Sequence, residues 1–348
     1  MEIVSHKIKA GLLVLVLFLS CCNRYGGGQL QKVRDAYSRG DYVTAVRLRR
    51  PQADQGDAGA QCDLGYMYNT GRGVPQDYAE AVKWYRKAAD QGDAKAQNHL
   101  GVMYYTGEGV PQDYAEALKW YRKAADQGFA KAQCTVGYMY DTGEGVPLDH
   151  AEALRWWRKA ADQGYAKAQC ALGVIYNTGR GVPQDYAEAL KWYRKATDQG
   201  LVQAQFNVGN MHYNGQGVPQ DYAEALKWWR KAADQGFVQA QFQLGVMYYE
   251  GQGVPRDYTE ALKWYRQAAD QGDAAAQFNL GVMYDAGRGV PQDYVQAHKW
   301  FSLAAARFTA SEAEKRETAV KSRDDLAAKM TPAQIAEARR LAREWKPK

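Results

Sequence analysis

The sequence predicts an all-α solenoid, and three observations carry that prediction. Gly65, Gly101, Gly137, Gly173, Gly209, Gly245 and Gly281 stand 36 residues apart. Pro75, Pro111, Pro147, Pro183, Pro219, Pro255 and Pro291 keep the same interval. Between these markers apolar residues fall at helical spacing, bounded by an acidic cap and a glycine stop. A fixed period in the range of about 20–50 residues marks stacked supersecondary units rather than a globular core. It replaces the two or three domains that 348 residues would otherwise suggest with one elongated body whose use is to hold something.

Residues 1–22 stand apart as a signal peptide. Lys7 and Lys9 precede an apolar run from Ala10 to Leu19, followed by Ser20, Cys21 and Cys22. The run is about ten residues long, against the roughly 20 that a helix needs to span a bilayer. A secretory signal is therefore expected, with a retained anchor as the alternative. Phe18-Leu19-Ser20-Cys21 also resembles a bacterial lipoprotein cleavage site, with Phe18 where Leu is usual. Cys21 is the lipidation candidate and Cys22 the second choice; cleavage near Asn23 without lipid is the plainer alternative. Residues 29–56 form a degenerate first repeat in which Asp41-Tyr42 aligns with Asp77-Tyr78. Arg49 and Pro51 replace Tyr and Lys there, so a short or bent helix is expected.

Residues 57–308 hold seven repeats, and Asp57 to Asp93 illustrates them. Helix A is expected from about Ala58 to Asn69, with Ala60, Leu64, Gly65 and Tyr68 on one side. Gly65 in mid-helix costs about 1 kcal/mol relative to Ala, so its recurrence implies a close helix–helix approach. Gly71 ends the helix in a left-handed conformation, and Pro75 blocks its continuation. Helix B opens at Asp77, which with Glu80 reads as a D-x-x-E capping box. The pair recurs as Asp113/Glu116, Asp149/Glu152, Asp185/Glu188, Asp221/Glu224 and Asp257/Glu260, and as Asp293/Gln296 in the last repeat. Tyr78, Ala81, Val82, Tyr85, Ala88 and Ala89 form the buried stripe, Trp84 is placed to pack on the next repeat, and Lys83, Arg86 and Lys87 face outward. Residues 309–348 form capping helices: Ser311 and Glu314 open one to about Lys329, and Thr331-Pro332 with Gln334 opens another to about Trp345.

These residues resemble the Sel-1-like repeat (SLR) family, a relative of the tetratricopeptide repeat. One copy reads Ala94-Lys95-Ala96-Gln97-Asn98-His99-Leu100-Gly101-Val102-Met103-Tyr104, then Gly107-Glu108-Gly109-Val110, Asp113, Ala117, Trp120-Tyr121, Lys123-Ala124-Ala125 and Gly128. The resemblance covers about 57–308. It implies a right-handed αα-superhelix that mediates protein–protein contacts, often in bacterial envelopes or at host interfaces.

The chemical alternatives are weak. Net charge is +6, with 45 basic and 39 acidic residues interspersed in every repeat, which argues for a solvated helix face rather than nucleic-acid binding. Gly71-Arg72-Gly73 and its equivalents lack the strand–helix context and Lys-Ser/Thr of phosphate loops. No G-x-S-x-G or S-x-x-K motif supplies a nucleophile, so no enzyme is expected and no cofactor or metal site is assigned. An envelope hydrolase of the β-lactamase-like type is the least favoured alternative. Cys62, Cys134 and Cys170 share one repeat position and read as small buried apolar residues; neighbouring copies are too far apart for a bridge. His99, His150, His212 and His298 lie in separate repeats, and His212, in place of an inward Tyr, reads as a hydrogen-bonded core histidine.

What remains is the inner, concave surface made by successive helices A, where the repeats differ most. Three residues before the glycine stand Cys62, Asn98, Cys134, Cys170, Phe206, Phe242 and Phe278; four after it stand Asn69, Tyr105, Asp141, Asn177, Tyr213, Tyr249 and Asp285. An aromatic-rich groove with scattered polar groups suits peptide capture. Tyr105, Phe206, Tyr213, Phe242, Tyr249 and Phe278 are the expected binding residues, with packing between repeats as the competing role. The expected function is a non-catalytic scaffold or adaptor for one or more proteins or peptides. Its place is the periplasm or a lipid-anchored envelope site; a secreted factor that binds host proteins is the alternative.

Overall fold

The structure, a computed structural model, describes residues 27–347. The signal peptide and the lipidation candidate Cys21 lie outside the described residues. Among the described residues there is no strand, and no helix is long and apolar enough to cross a membrane. α1 (Gly27–Ser38) and α2 (Tyr42–Asp54) form the leading pair. The A helices are α3 (Ala58–Thr70), α5 (Ala94–Thr106), α7 (Ala130–Thr142), α9 (Ala166–Thr178), α11 (Val202–Asn214), α13 (Val238–Glu250) and α15 (Ala274–Ala286). The B helices are α4 (Tyr78–Asp90), α6 (Tyr114–Asp126), α8 (His150–Asp162), α10 (Tyr186–Asp198), α12 (Tyr222–Ala233), α14 (Tyr258–Asp270) and α16 (Tyr294–Arg307). A 3₁₀ turn (Ala310–Glu312), α17 (Ala313–Ala327) and α18 (Pro332–Glu344) complete the chain. These helices fall into two compact units: the described residues up to Ala168 with Arg180–Val182, and Gln169–Gly179 with the residues from Pro183 onward.

Local chemistry sets these bounds. Gly71 has φ 68° and returns its N–H to the Met67 carbonyl, so helix A stops in the left-handed conformation that glycine tolerates. Asp77 then accepts from the Glu80 amide at 2.9 Å and starts helix B. The return half of the expected capping box is not made. The Asp77 N–H already donates to the Tyr68 carbonyl at 3.0 Å, which frees the glutamate for other work. Glu116, Glu152 and Glu188 accept from the indoles of Trp120, Trp156 and Trp192 at 2.9, 2.9 and 2.8 Å. True capping boxes occur at the C-terminal end, at Thr309/Glu312 and Thr331/Gln334. Thr309, rather than Ser311, therefore opens the first capping segment.

The recurring helix A glycine faces a ring. A Cβ on Gly65 would lie 2.6 Å from Tyr85 Cδ1, and one on Gly173 would lie 2.4 Å from Tyr193 Cδ1. The same position meets Trp157, Trp229 and Phe301 in other repeats, so the close approach is helix A backbone against an aromatic of its own helix B. The second turn glycine serves a different contact. Gly109 has φ 71°, and a Cβ there would lie 2.4 Å from the carbonyl oxygen of Tyr78, at the start of the preceding helix B. The Gly-x-Gly turn thus ends a helix with one glycine and seats it against the previous repeat with the other.

The core differs from the expected stripe in three ways. Met67 and its equivalents Met103, Met139, Ile175, Met211, Met247 and Met283 are fully buried on helix A, whereas Tyr68 is half-buried. Trp84 packs with Ala45, Ala53, Ala60, Leu64 and Met67, and Trp120 with Ala81, Tyr85 and Ala89. The tryptophan therefore closes on its own helix A and the preceding repeat, not on the next one. The buried glutamine of each helix A was missed altogether. Gln97 Nε2 donates to the Ala89 carbonyl at 3.1 Å while its Oε1 accepts from Gln127 Nε2 at 2.7 Å, and Gln61, Gln133 and Gln241 repeat both bonds. Each glutamine ties the end of the preceding helix B, its own helix A and the end of its own helix B.

The ends close differently. α2 runs its full 13 residues despite Pro51, which overturns the expected short helix; a proline in the last turn removes only one helical bond. Arg49, in place of the core tyrosine, is buried and hydrogen-bonds Asp63 on α3 through Nε at 2.6 Å. At the other end, α17, the turn after it and α18 lay Leu326, Met330 and Ala338 against Ala297 and Phe301 of α16.

Candidate functional site

The face formed by the B helices is closed upon itself. Lys83, Lys119, Lys191 and Lys227 pair with the glutamate three residues earlier at 2.9, 2.9, 3.2 and 3.2 Å. Lys87, Lys123, Lys159 and Lys195 sit 4.2, 3.8, 4.1 and 4.0 Å over their own tryptophan rings. Arg86 does not simply face outward: its guanidinium hydrogen-bonds the Tyr104 hydroxyl and lies over the Tyr104 and Trp120 rings. Arg266 repeats this against Tyr284 and Trp300. Arg86 and Arg266 are therefore packing elements between neighbouring repeats, while the lysines are held on their own helix.

The helix A face is less uniform. All six expected binding residues lie on A helices and are half-buried. Phe206 and Tyr213 flank the Trp229 ring, at centroid distances of 6.2 and 5.1 Å. Phe242 and Tyr249 flank Tyr265 at 5.9 and 6.4 Å, and Phe278 lies 5.4 Å from Phe301. The structure thus brings Phe206 together with Tyr213 and Phe242 together with Tyr249, each pair on the ring that fills its own repeat. Tyr105 lies in the other compact unit, against Tyr114 at 5.1 Å. The tyrosine hydroxyls reach forward to the middle residue of the next Gly-x-Gly turn. Tyr105 donates to Glu144 at 2.6 Å and Tyr213 to Gln252 at 2.8 Å, while Tyr249 accepts from Arg288. Asp141, in the same register, pairs with Arg180 at 3.2 Å. The position four after the glycine is therefore a lock between repeats as well as a surface.

Tyr138, missed in the sequence, stands open on the same face at 46% exposure. The legible signal is its place one residue after the glycine, where Val102, Val174, Val246 and Val282 stand in other repeats. It lies seven residues beyond the exposed Lys131 on α7, hence on the same side of the helix. Cys62 and Cys170 are buried and Cys134 is half-buried, with burial pushing the Cys134 thiol up to about 12. His99 stacks on Tyr85 at 4.9 Å, and burial followed by the Lys131 and Lys95 charges lowers it to about 4. His150 hydrogen-bonds Asp141 at 2.9 Å. His212 corrects the expectation, since its buried Nδ1 has no hydrogen-bond partner.

Within each compact unit, successive helix pairs are locked together through tryptophan, glutamine and glycine contacts, the construction of an α-solenoid repeat protein. The Sel1 repeat family matches at 58–93, 94–129, 130–165, 166–201, 202–237, 238–273 and 274–307, and the chain belongs to that family. A Sel1 repeat protein from Oxalobacter formigenes is 33% identical, with a TM-score of 0.63, over 70% of this chain and 96% of that one. A protective antigen with an SLR fold present in uropathogenic Escherichia coli strains is 32% identical, with a TM-score of 0.45, over 91% of this chain and 82% of that one. Yeast Tom70 shares the fold alone, at 12% identity and a TM-score of 0.51 over 89% of this chain and 66% of that one. Among curated proteins, none matches the chain. Sel1 repeat proteins generally mediate protein–protein interactions, and their scaffold is generally non-catalytic.

Proposed function

We propose that this chain is a non-catalytic adaptor that holds another protein on its helix A face, in the bacterial cell envelope after export through residues 1–22. The observation that carries this reading is the contrast between the two faces. The lysines of helix B pair with a glutamate or a tryptophan on their own helix, whereas helix A presents side chains that change from repeat to repeat. Half-buried aromatics with one open edge, as at Tyr213 and Tyr249, supply apolar contact area at low entropic cost and suit an extended or helical segment of a partner. The basic, apolar and cysteine-containing sequence of the first 22 residues supports export, with Cys21 as the lipid attachment point. Crosslinking of the tagged full chain in intact cells, followed by fractionation, tests both parts. The reading expects a discrete protein adduct recovered with envelope fractions. Recovery of the chain in the cytoplasm, or without any adduct, would count against it.

A further inference from the structure

The A helices of repeats two to four carry Lys95, Lys131 and Lys167 at one register, spaced 36 residues apart and all in the first compact unit. Lys131 and Lys167 differ from the helix B lysines in one decisive respect. Lys83, Lys119, Lys191, Lys227 and Lys263 each pair with a glutamate on their own helix at 2.5–3.2 Å. Lys131 and Lys167 form no ion pair among the described residues, although both are exposed. The protein mass around Lys131, and then the Lys167 charge, hold its ammonium below the ordinary value. His99, between Lys95 and Lys131, stays neutral near pH 7 and adds no positive charge of its own. Acidic groups near the row are Asp63, which is bonded to Arg49, and Asp93, which caps the Ala96 amide, both beside Lys95. The same register in the other unit reads Gln203, Gln239 and Ala275, so the row is local and not a property of the repeat.

We infer that the helix A face of repeats two to four binds an acidic, extended segment of a partner protein, with carboxylates on Lys131 and Lys167 and an apolar residue against the open ring of Tyr138. The inference rests on the adaptor reading and names the chemistry of its partner. Two unpaired ammonium groups one repeat apart favour a ligand with repeated negative charge, and complementary fields of this kind act on association rate and register. Tyr138, on the same side of α7 as Lys131, supplies the apolar contact that a purely ionic surface lacks. Thr135 lies between them but bonds its own helix, to the Lys131 carbonyl at 3.0 Å.

The test is a titration of the full chain with a labelled peptide of alternating Glu and Val, against the same peptide with Gln for Glu. Anionic phosphatidylglycerol vesicles form a third arm. The Glu peptide is expected to bind, and to weaken at least about tenfold in the Lys131→Gln/Lys167→Gln double variant and again as salt is raised. The Lys191→Gln/Lys227→Gln variant should bind within about twofold of the parent, and thermal melts show whether each variant is folded. Absence of binding, equal binding of the Gln peptide, equal loss in both variants, or binding of vesicles but not peptide overturns the inference. The cellular crosslink separates the two readings. A protein captured equally by the parent and by the Lys131→Gln/Lys167→Gln variant sinks this site and leaves the adaptor standing, whereas no captured protein sinks the adaptor itself.

Discussion

In helix B, most contacts recur from repeat to repeat: aspartate on the first turn, glutamate on lysine or arginine, lysine over tryptophan, and a ring against the glycine of helix A, while the glutamate also holds the indole at Trp120, Trp156 and Trp192. In helix A, only the inward positions behave this way. Ala, Gln, the aliphatic pair and Gly are fixed or nearly so, while the residues three before, one after and four after the glycine vary. Repetition therefore follows contact between neighbouring helices, and variation marks what those contacts leave open. Charge does not distinguish the two sets, because both helices carry lysines. Whether a lysine has a partner on its own helix does.

The largest effect should come from breaking the fixed set. Gly173→Leu drives a side chain into the buried Tyr193 ring, whose carbons already lie 2.4 Å from an added Cβ. A loss of about 3 kcal/mol or more is expected in chemical denaturation. Glu188→Ala, which strips the Trp192 indole of its partner, should lose only about 1 kcal/mol. Equal losses would mean that the helix A glycine is not the tight point of the repeat.

The glutamine ladder offers a sharper internal comparison. Gln97→Leu removes two bonds, to the Ala89 carbonyl, which keeps the Gly92 N–H, and to Gln127, which keeps the Lys123 carbonyl, and should cost about 2 kcal/mol. Gln277, in the last repeat, bonds the Ala269 carbonyl at 3.1 Å, but its Oε1 is already unpartnered because Arg307 stands where the next glutamine would be. Gln277→Leu should therefore cost measurably less than Gln97→Leu. If the order is reversed, the ladder is not what links the repeats.

His99 gives the comparison a pH dependence. Its folded value, about 4, lies below the ordinary 6.5, so the native state favours the neutral ring. The stability this gives is complete above about pH 6.5 and falls as the pH drops toward 4, by roughly 3 kcal/mol in all. His99→Phe should flatten that part of the stability–pH curve relative to the parent. Parallel curves for the two proteins would show that His99 is not held neutral. The smallest effect belongs to the open ion pairs: Lys227→Ala removes an exposed contact to Glu224 and should change stability by no more than about 0.5 kcal/mol.

The fold was legible because its determinants are local and repeated. Glycine stops, aspartate caps and prolines act within a few residues, and the 36-residue interval multiplies them. The misreadings arose where the deciding contact spans repeats. Glu80 reads as half of a capping box until the Tyr68 carbonyl is seen to hold the Asp77 amide. Trp84 at the edge of its stripe reads as packing forward, whereas it closes on the preceding repeat, and a polar residue such as Gln97 gives no sign of burial on a helix read for apolar periodicity. Arg49 in a core position becomes intelligible only with Asp63 opposite it. The aromatic positions of the surface could be read from variation among repeats, but their hydroxyl partners in the next turn could not. Tyr138 was hidden among the valines of its register.

The central claim is that the A helices form the working face and the B helices the architecture. The most direct measurement replaces single residues of the full chain with a photo-activated crosslinking amino acid in the living cell: Tyr138, Tyr213 and Tyr249 on the A helices, and Lys191 and Lys227 on the B helices. The account predicts partner adducts from helix A positions and none from helix B positions. Adducts confined to Lys191 and Lys227 would contradict it.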